Sequence, residues 1–299
     1  MAAFATSLSQ SSMAGNLLLG DYDIDLTVFG SGAQAKVVLG RHLVTQEKVA
    51  IKVFSLKTEQ SNLCFENEAR LLKLCQKEHI VEARSCLVHK TFGFLVMPFF
   101  KQDLLGFVMG SGGLEEPLAA HIFQQVCIAV DSCHSAGVAH LDIKPENILY
   151  DSTNKRAYLC DFGNSHQFSR GEMVNIGRRG TLVYCAPEVK KEENILFDPI
   201  TADLWSLGIL LHVIVAGFFP HSKGERDMEL YHSGHVNLRF IQAQASPQLY
   251  DLLVSILIIN PTDRSTIPEI LNHPWMVHHT QRKASLANKL SKRFFASLS

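Results

Sequence analysis

The densest run of chemically capable side chains is His140-Leu141-Asp142-Ile143-Lys144-Pro145-Glu146-Asn147-Ile148-Leu149, followed by Asp161-Phe162-Gly163. A carboxylate, a lysine and an amide lie within six positions, and a second carboxylate stands 14 residues beyond the amide. Mg²⁺ prefers oxygen ligands and keeps several waters, so one carboxylate and one amide oxygen suit it as the protein's share. The other carboxylate can accept a proton from an attacking hydroxyl, and the lysine can neutralise charge on a moving phosphoryl group. Upstream lies the glycine-rich turn Gly30-Ser31-Gly32-Ala33-Gln34-Ala35-Lys36-Val37. Alone it reads most simply as a hairpin, but Gly30 and Gly32 would also let backbone N–H groups approach phosphate oxygens. Val49-Ala50-Ile51-Lys52 then ends an apolar run in an ammonium. Such a lysine commonly just reaches solvent. If the hairpin covers phosphates, however, Lys52 can place its charge among them. Glu68 is then the best-placed anion to fix it, with Glu66, on another helix face, as the alternative.

These groups need elements to hold them. The glycine-rich turn lies between strand-like segments at 22–29 and 36–43, with a third at 47–54, so it does not open a helix as a dinucleotide-binding turn would. Residues 62–76 space Leu63, Leu71, Leu72 and Leu74 as a helix does, and runs at 83–90 and 92–98 read as strands. Beyond Phe100, helical patterns dominate at 116–136, 200–216, 246–258 and 265–273, around a loop-rich stretch at 140–190. The expectation is an α+β protein with a flexible tail over 1–20 and a small β-rich lobe, carrying one helix, over about 21–100. A larger, mainly helical lobe follows over 101–277, and a basic tail over 278–299.

Composition narrows the setting. Of 299 residues, 46% are hydrophobic and 19% charged, which is ordinary for a globular chain. Lys+Arg 28 against Asp+Glu 29 gives −1, which argues against a protein built to wrap nucleic acid. The 7 cysteines show no Cys-x-x-Cys pair and no zinc spacing, so reduced thiols in a cytoplasmic or nuclear protein are expected. The first 20 residues contain no Lys or Arg, unlike a secretory start. The longest apolar run, Leu204 to Pro220, is interrupted by Ser206, His212 and two glycines, and reads as a buried helix in a soluble protein without a transmembrane segment.

Taken in order, these motifs resemble the eukaryotic protein kinase catalytic domain over residues 22–277. The likeness continues at Gly180-Thr181-Leu182-Val183-Tyr184-Cys185-Ala186-Pro187-Glu188, at Asp203-Leu204-Trp205-Ser206-Leu207-Gly208, and at Pro261-Thr262-Asp263-Arg264 and His273-Pro274-Trp275. The resemblance implies the bilobal protein kinase fold with ATP and Mg²⁺. By it, Gly30 and Gly32 cover the nucleotide, and Lys52 pairs with Glu68 and the α/β-phosphates. Asp142 is the catalytic base, Lys144 contacts the γ-phosphate, and Asn147 and Asp161 hold metal. It places Val37, Ala50 and Leu149 around adenine. Met97 marks the hinge, where the Pro98 carbonyl and the Phe100 N–H meet the base. It also pairs Arg264 with Glu188 and stacks Leu72, His140 and Phe162 toward Asp203. Lys144 and Thr181 resemble the serine/threonine pattern, and the overall wording is most similar to the calcium/calmodulin-dependent group. The implied activity is phosphoryl transfer to Ser/Thr hydroxyls of protein substrates; a pseudokinase or nucleotide-binding scaffold is the alternative.

Some positions depart from the family pattern. Gln34 stands where an aromatic tip is usual, and Ala35 where a third glycine often sits. Leu141 replaces an arginine that in the family binds a phosphate on the activation segment. A leucine cannot do so, and an enzyme active without that phosphate is expected; Arg178 or Arg179 is the alternative source of the contact. Asp103 could reach ribose or start a helix. Past Val277, Lys283, Lys289, Lys292 and Arg293 interleave with Leu286, Leu290, Phe294 and Leu298. That pattern suits a calmodulin target, a membrane-surface segment or a helix packed on the large lobe. Arg282-Lys283-Ala284-Ser285 resembles a basophilic phosphorylation site, and Glu146 stands where such kinases read a substrate arginine.

Overall fold

The computed structural model describes residues 16–31, 35–177, 179–190, 196–220 and 233–280. Gly32, Gln34, Arg178 and the tail from 281 onward, Ser285 included, lie outside them. The chain forms two compact units. One comprises residues up to 76 with 80–101 and 161–163; the other comprises 77–79, 102–160 and the chain from 164.

The first unit is an antiparallel sheet with one helix. Its strands are β1 (Asn16–Leu19), β2 (Tyr22–Ser31), β3 (Ala35–His42), β4 (Lys48–Ser55), β5 (Ser85–His89) and β6 (Phe92–Pro98), ordered β1-β2-β3-β4-β6-β5. Strand β1 corrects the expectation of a flexible tail through residue 20: Leu17 is buried, and Asn16–Leu19 pair with β2. A four-residue edge strand is too short to announce itself by alternation. Strand pairing sorts the faces. Val38, Val49, Ile51, Val53, Phe94 and Val96 pack into one core cluster. Val37, Lys52 and Leu95 stand opposite one another on the other face, as do Leu39, Ala50 and Met97.

Helix α1 (Glu59–Leu74) starts three residues before the expected 62, because Thr58 and Ser61 form a reciprocal capping box. It buries Phe65, Glu68, Leu71 and Leu72, the spacing of one helical face. Phe65 lies over Gly93 of β6, where an added Cβ would come within 2.9 Å of its ring. Glycine there lets the helix settle on the sheet and brings Glu68 inward.

The second unit is mainly helical. Asp103 caps α2 (Leu104–Ser111) by accepting the Gly106 N–H, so this residue starts a helix. The run Leu104–Ser111 carries two glycines, and its helix was not anticipated. Helix α3 (Glu116–Ser135) precedes the short strands β7 (Val138–Ala139), β8 (Ile148–Asp151), β9 (Arg156–Leu159) and β10 (His166–Gln167). Then come α4 (Pro187–Lys190), α5 (Pro199–Ala216), α6 (Arg239–Gln244), α7 (Pro247–Ile256) and α8 (Ile267–Asn272).

Helix α5 is long and apolar enough to cross a membrane by length and composition, but 83% of it is buried inside the protein, where it forms the core. Asp198 caps its start and Gly217, in the left-handed region, ends it. The Arg264 guanidinium grips Glu188 with two parallel bonds of 2.6 and 2.7 Å and donates to Thr201 O at 2.8 Å. This fastens α4 to the start of α5.

Candidate active site

In the first unit, β4, α1 and the segment after β9 bring three charged groups together. Lys52 Nζ donates to both oxygens of Glu68, at 2.6 and 2.9 Å, and to Asp161 Oδ1 at 2.8 Å. Glu68 is 3% exposed, whereas Glu66 faces solvent. Burial opposes the Lys52 charge, but Glu68 and Asp161 outweigh it and hold the ammonium above the ordinary lysine value. Asp161 adopts φ +63°, a left-handed conformation unusual for its type, and its Oδ1 also accepts the Gly163 N–H at 3.2 Å. Its side chain remains 43% exposed. Gly30 pairs with Val37, which pairs in turn with Lys52. Pro98 ends β6 opposite Val49, and Phe100 follows in the connection.

In the second unit, Asp142 is 5% exposed and surrounded by donors. Its Oδ2 accepts from Lys144 Nζ at 2.9 Å, Asn147 Nδ2 at 3.1 Å and Asn164 Nδ2 at 3.2 Å. Its Oδ1 accepts the Thr181 N–H and Oγ1–H, both at 2.9 Å. Lys144 Nζ also donates to Thr181 Oγ1 at 2.6 Å. Gly180, at φ +76°, makes this closure possible, since any Cβ there would collide with the Leu141 carbonyl. Burial would raise the Asp142 pKa, but the bond to Lys144 with its charge, the Thr181 hydroxyl and His140 outweigh it and hold the carboxyl below the ordinary value.

The loop carrying Asp142 hangs from α5. Asp203, fully buried, accepts the His140 N–H at Oδ2 and the Leu141 N–H at Oδ1, both at 2.8 Å, and contacts His134 Nε2 at 2.9 Å. His140 is structural: its Nε2–H donates to Cys160 O at 3.0 Å, and its Nδ1 accepts the Asp142 N–H at 3.3 Å. Leu149 pairs with Tyr158 and bridges to Asp103. Arg179 turns its guanidinium to the carbonyls of Asn164 and Ser165, at 3.5 and 3.4 Å. Leu141 lines a small apolar recess with Arg179, Cys185, Ala186, Val189 and Phe197.

Lys52, Glu68 and Asp161 thus meet in one unit, and Asp142, Lys144 and Asn147 in the other. Asn164, which no sequence motif assigned, joins the Asp142 cluster; its signal is its place directly after Asp161-Phe162-Gly163.

The sequence model of the protein kinase domain matches residues 24–276. The chain belongs to the protein kinase domain family. This kinase domain is 35% identical to CBL-interacting serine/threonine-protein kinase 5 of Arabidopsis thaliana, over 87% of the chain and 59% of that protein. It is 32% identical to the SNF-related serine/threonine-protein kinase of Homo sapiens, over 87% of the chain and 34% of that protein. It is 30% identical to a probable serine/threonine-protein kinase, MARK-C, of Dictyostelium discoideum, over 86% of the chain and 33% of that protein. The kinase domain therefore spans about six-tenths of the plant relative's length and about a third of the others. All three relatives are named serine/threonine kinases, and the family as a whole works with ATP and Mg²⁺ on protein substrates.

Proposed function

We propose that this chain is an active protein kinase domain that transfers the γ-phosphoryl group of ATP to serine or threonine hydroxyls of proteins. The observation that carries the reading is the ring of donors around Asp142, with Lys144 shared between that carboxylate and Thr181. A buried carboxylate held ionised beside an ammonium is equipped to receive a proton from an acceptor hydroxyl and to steady the charge that follows. Asn147 directs its amide nitrogen to Asp142, so its oxygen is the atom it would give a metal. Asp161 would give its exposed carboxylate, and Lys52, anchored by Glu68, would set its charge against phosphates. Mg²⁺ keeps several waters and binds phosphates, so two protein oxygens are a sufficient share from the chain. Bound ATP would supply the transferred group, and Mg²⁺ would offset its charge. Gly30, Val37, Ala50, Met97, Pro98, Phe100 and Leu149 are the residues we assign to the nucleotide, with Gly32 beside them in the sequence.

A regulatory reading attaches to the C-terminal tail. Its basic, amphipathic pattern supports a calmodulin-like partner, and the Arabidopsis relative's name ties that protein to a CBL partner. A cytoplasmic or nuclear setting is the reading we attach to the scattered spacing of the seven cysteines.

Radiolabelled ATP with a degenerate peptide library, with and without calcium/calmodulin, tests these readings together. Transfer to Ser/Thr peptides, with enrichment of basic residues before the acceptor, is expected. No transfer at saturating Mg·ATP would leave a nucleotide-binding scaffold in its place, and an unchanged rate on adding calcium/calmodulin would remove the partner.

A further inference from the structure

Of the groups that donate to Asp142, Lys144 and Asn147 lie on its own loop, and Thr181 is brought in by Gly180. Asn164 comes from elsewhere. It follows Gly163 in a short 3-10 turn, and its Nδ2 reaches Asp142 Oδ2 at 3.2 Å. The backbone behind it is held on several sides. Arg179 donates to the carbonyls of Asn164 and Ser165, the fully buried Ser165 donates Oγ–H to His140 O at 3.2 Å, and His166 pairs with Ala139 in the β7–β10 ladder. The amide is therefore delivered by a pinned segment to the oxygen that also receives Lys144 and Asn147. A carboxylate offers about four lone-pair directions. With five donors converging on Asp142, a loose amide would gain little there, and a pinned one sets how the carboxylate plane is turned.

Resting on the phosphotransfer reading above, we propose that Asn164 is a positioning residue that orients Asp142 toward the acceptor hydroxyl. The charged and titratable groups facing Asp142 are Lys144 on its own loop and His140 two residues before it, while Asp203 lies behind that loop and Arg179 behind Asn164. None of these is altered by a change at Asn164 itself. Removing the amide N–H takes away one of the bonds that fix the carboxylate plane, so the loss appears in turnover and not in substrate affinity.

The test is steady-state kinetics of the full chain for wild type, Asn164→Leu, Asn164→Gln and Asn164→Asp, with kcat and both KM values separated and melting temperatures alongside. Asn164→Leu is expected to lower kcat about tenfold and to leave both KM values within about twofold. Asn164→Gln, which keeps a donor, should recover much of the turnover. Asn164→Asp replaces the donor by an acceptor of the same shape and should lower kcat at least as far with both KM values kept; it decides the matter if the leucine variant does not fold. An unchanged kcat in Asn164→Leu overturns the proposal. So does a fall in kcat that Asn164→Gln does not recover, since that is the signature of a structural defect alone. A wild-type chain that transfers nothing overturns the underlying reading as well, and is told apart because the variants are then not needed to see it.

Discussion

Leu141 presents its backbone N–H to Oδ1 of Asp203 at 2.8 Å while holding φ at +60°, a left-handed conformation uncommon for leucine. The carboxylate on the core helix keeps the residue before Asp142 in a strained shape and thereby aims Asp142. The structure around Asp203 offsets that strain with the further bonds from His140 and His134. Asp203→Asn turns one acceptor oxygen into a donor facing donors in a fully buried site. We expect a loss of about 3 kcal/mol in stability, read by denaturant titration, and a melting temperature lower by about 10 °C.

The Leu141 side chain is buried in the apolar recess beside Arg179, and Arg179 is turned toward main-chain carbonyls. The Asn164–Ser165 backbone and Thr181 are thus held by protein groups, through Arg179 and Asp142. Phosphatase treatment of the purified protein should leave its peptide-kinase rate within about twofold, since an exposed charge pair adds little where the backbone is already fixed. A collapse of activity that returns only with a phosphate on residues 164–180 would contradict this.

Lys52→Met and Asp161→Ala should each lower peptide phosphorylation roughly a hundredfold or more. Both proteins should remain folded by circular dichroism, because the sheet core on the other face of β4 is untouched. Loss of Lys52 leaves Glu68 buried without its cation, so that variant should also melt several degrees lower.

Glu116 opens α3 and collects distant parts of the second unit. Its Oε1 accepts the Ser246 N–H at 2.7 Å, and its Oε2 accepts the Ser246 hydroxyl and the Trp275 indole N–H, each at 2.6 Å. Burial would raise its pKa, but these bonds and the nearby His279 lower it below the ordinary 4.5. For a depressed carboxyl, the stability contribution is complete above the unfolded value and is lost as pH falls through the folded one. Glu116→Gln should therefore cost about 1–2 kcal/mol near neutrality. The gap from wild type should close as pH drops below 4.5, a trend that paired urea titrations read directly.

The sequence by itself determined the family and the residue types at the site. Each motif is local: the spacing from Asp142 to Asn147, the Asp161-Phe162-Gly163 run, and the apolar strand ending in Lys52 can be read without knowing what faces them. The alternation in β3 and β4 and the 3.6-residue spacing in α1 were equally legible, because burial of one face imposes them. Tertiary structure decided what no local pattern carries. It chose Glu68 over Glu66, because Phe65 seats α1 on Gly93 and turns only one of the two inward. It recruited β1, whose four residues are ordered by pairing with β2, and α2, whose glycines weaken any helical signal. It brought Asn164 and Thr181 to Asp142 across 22 and 39 residues of chain, and hung that loop from Asp203. Such contacts depend on where a backbone goes after it leaves its own neighbourhood, and that is a property of the whole core.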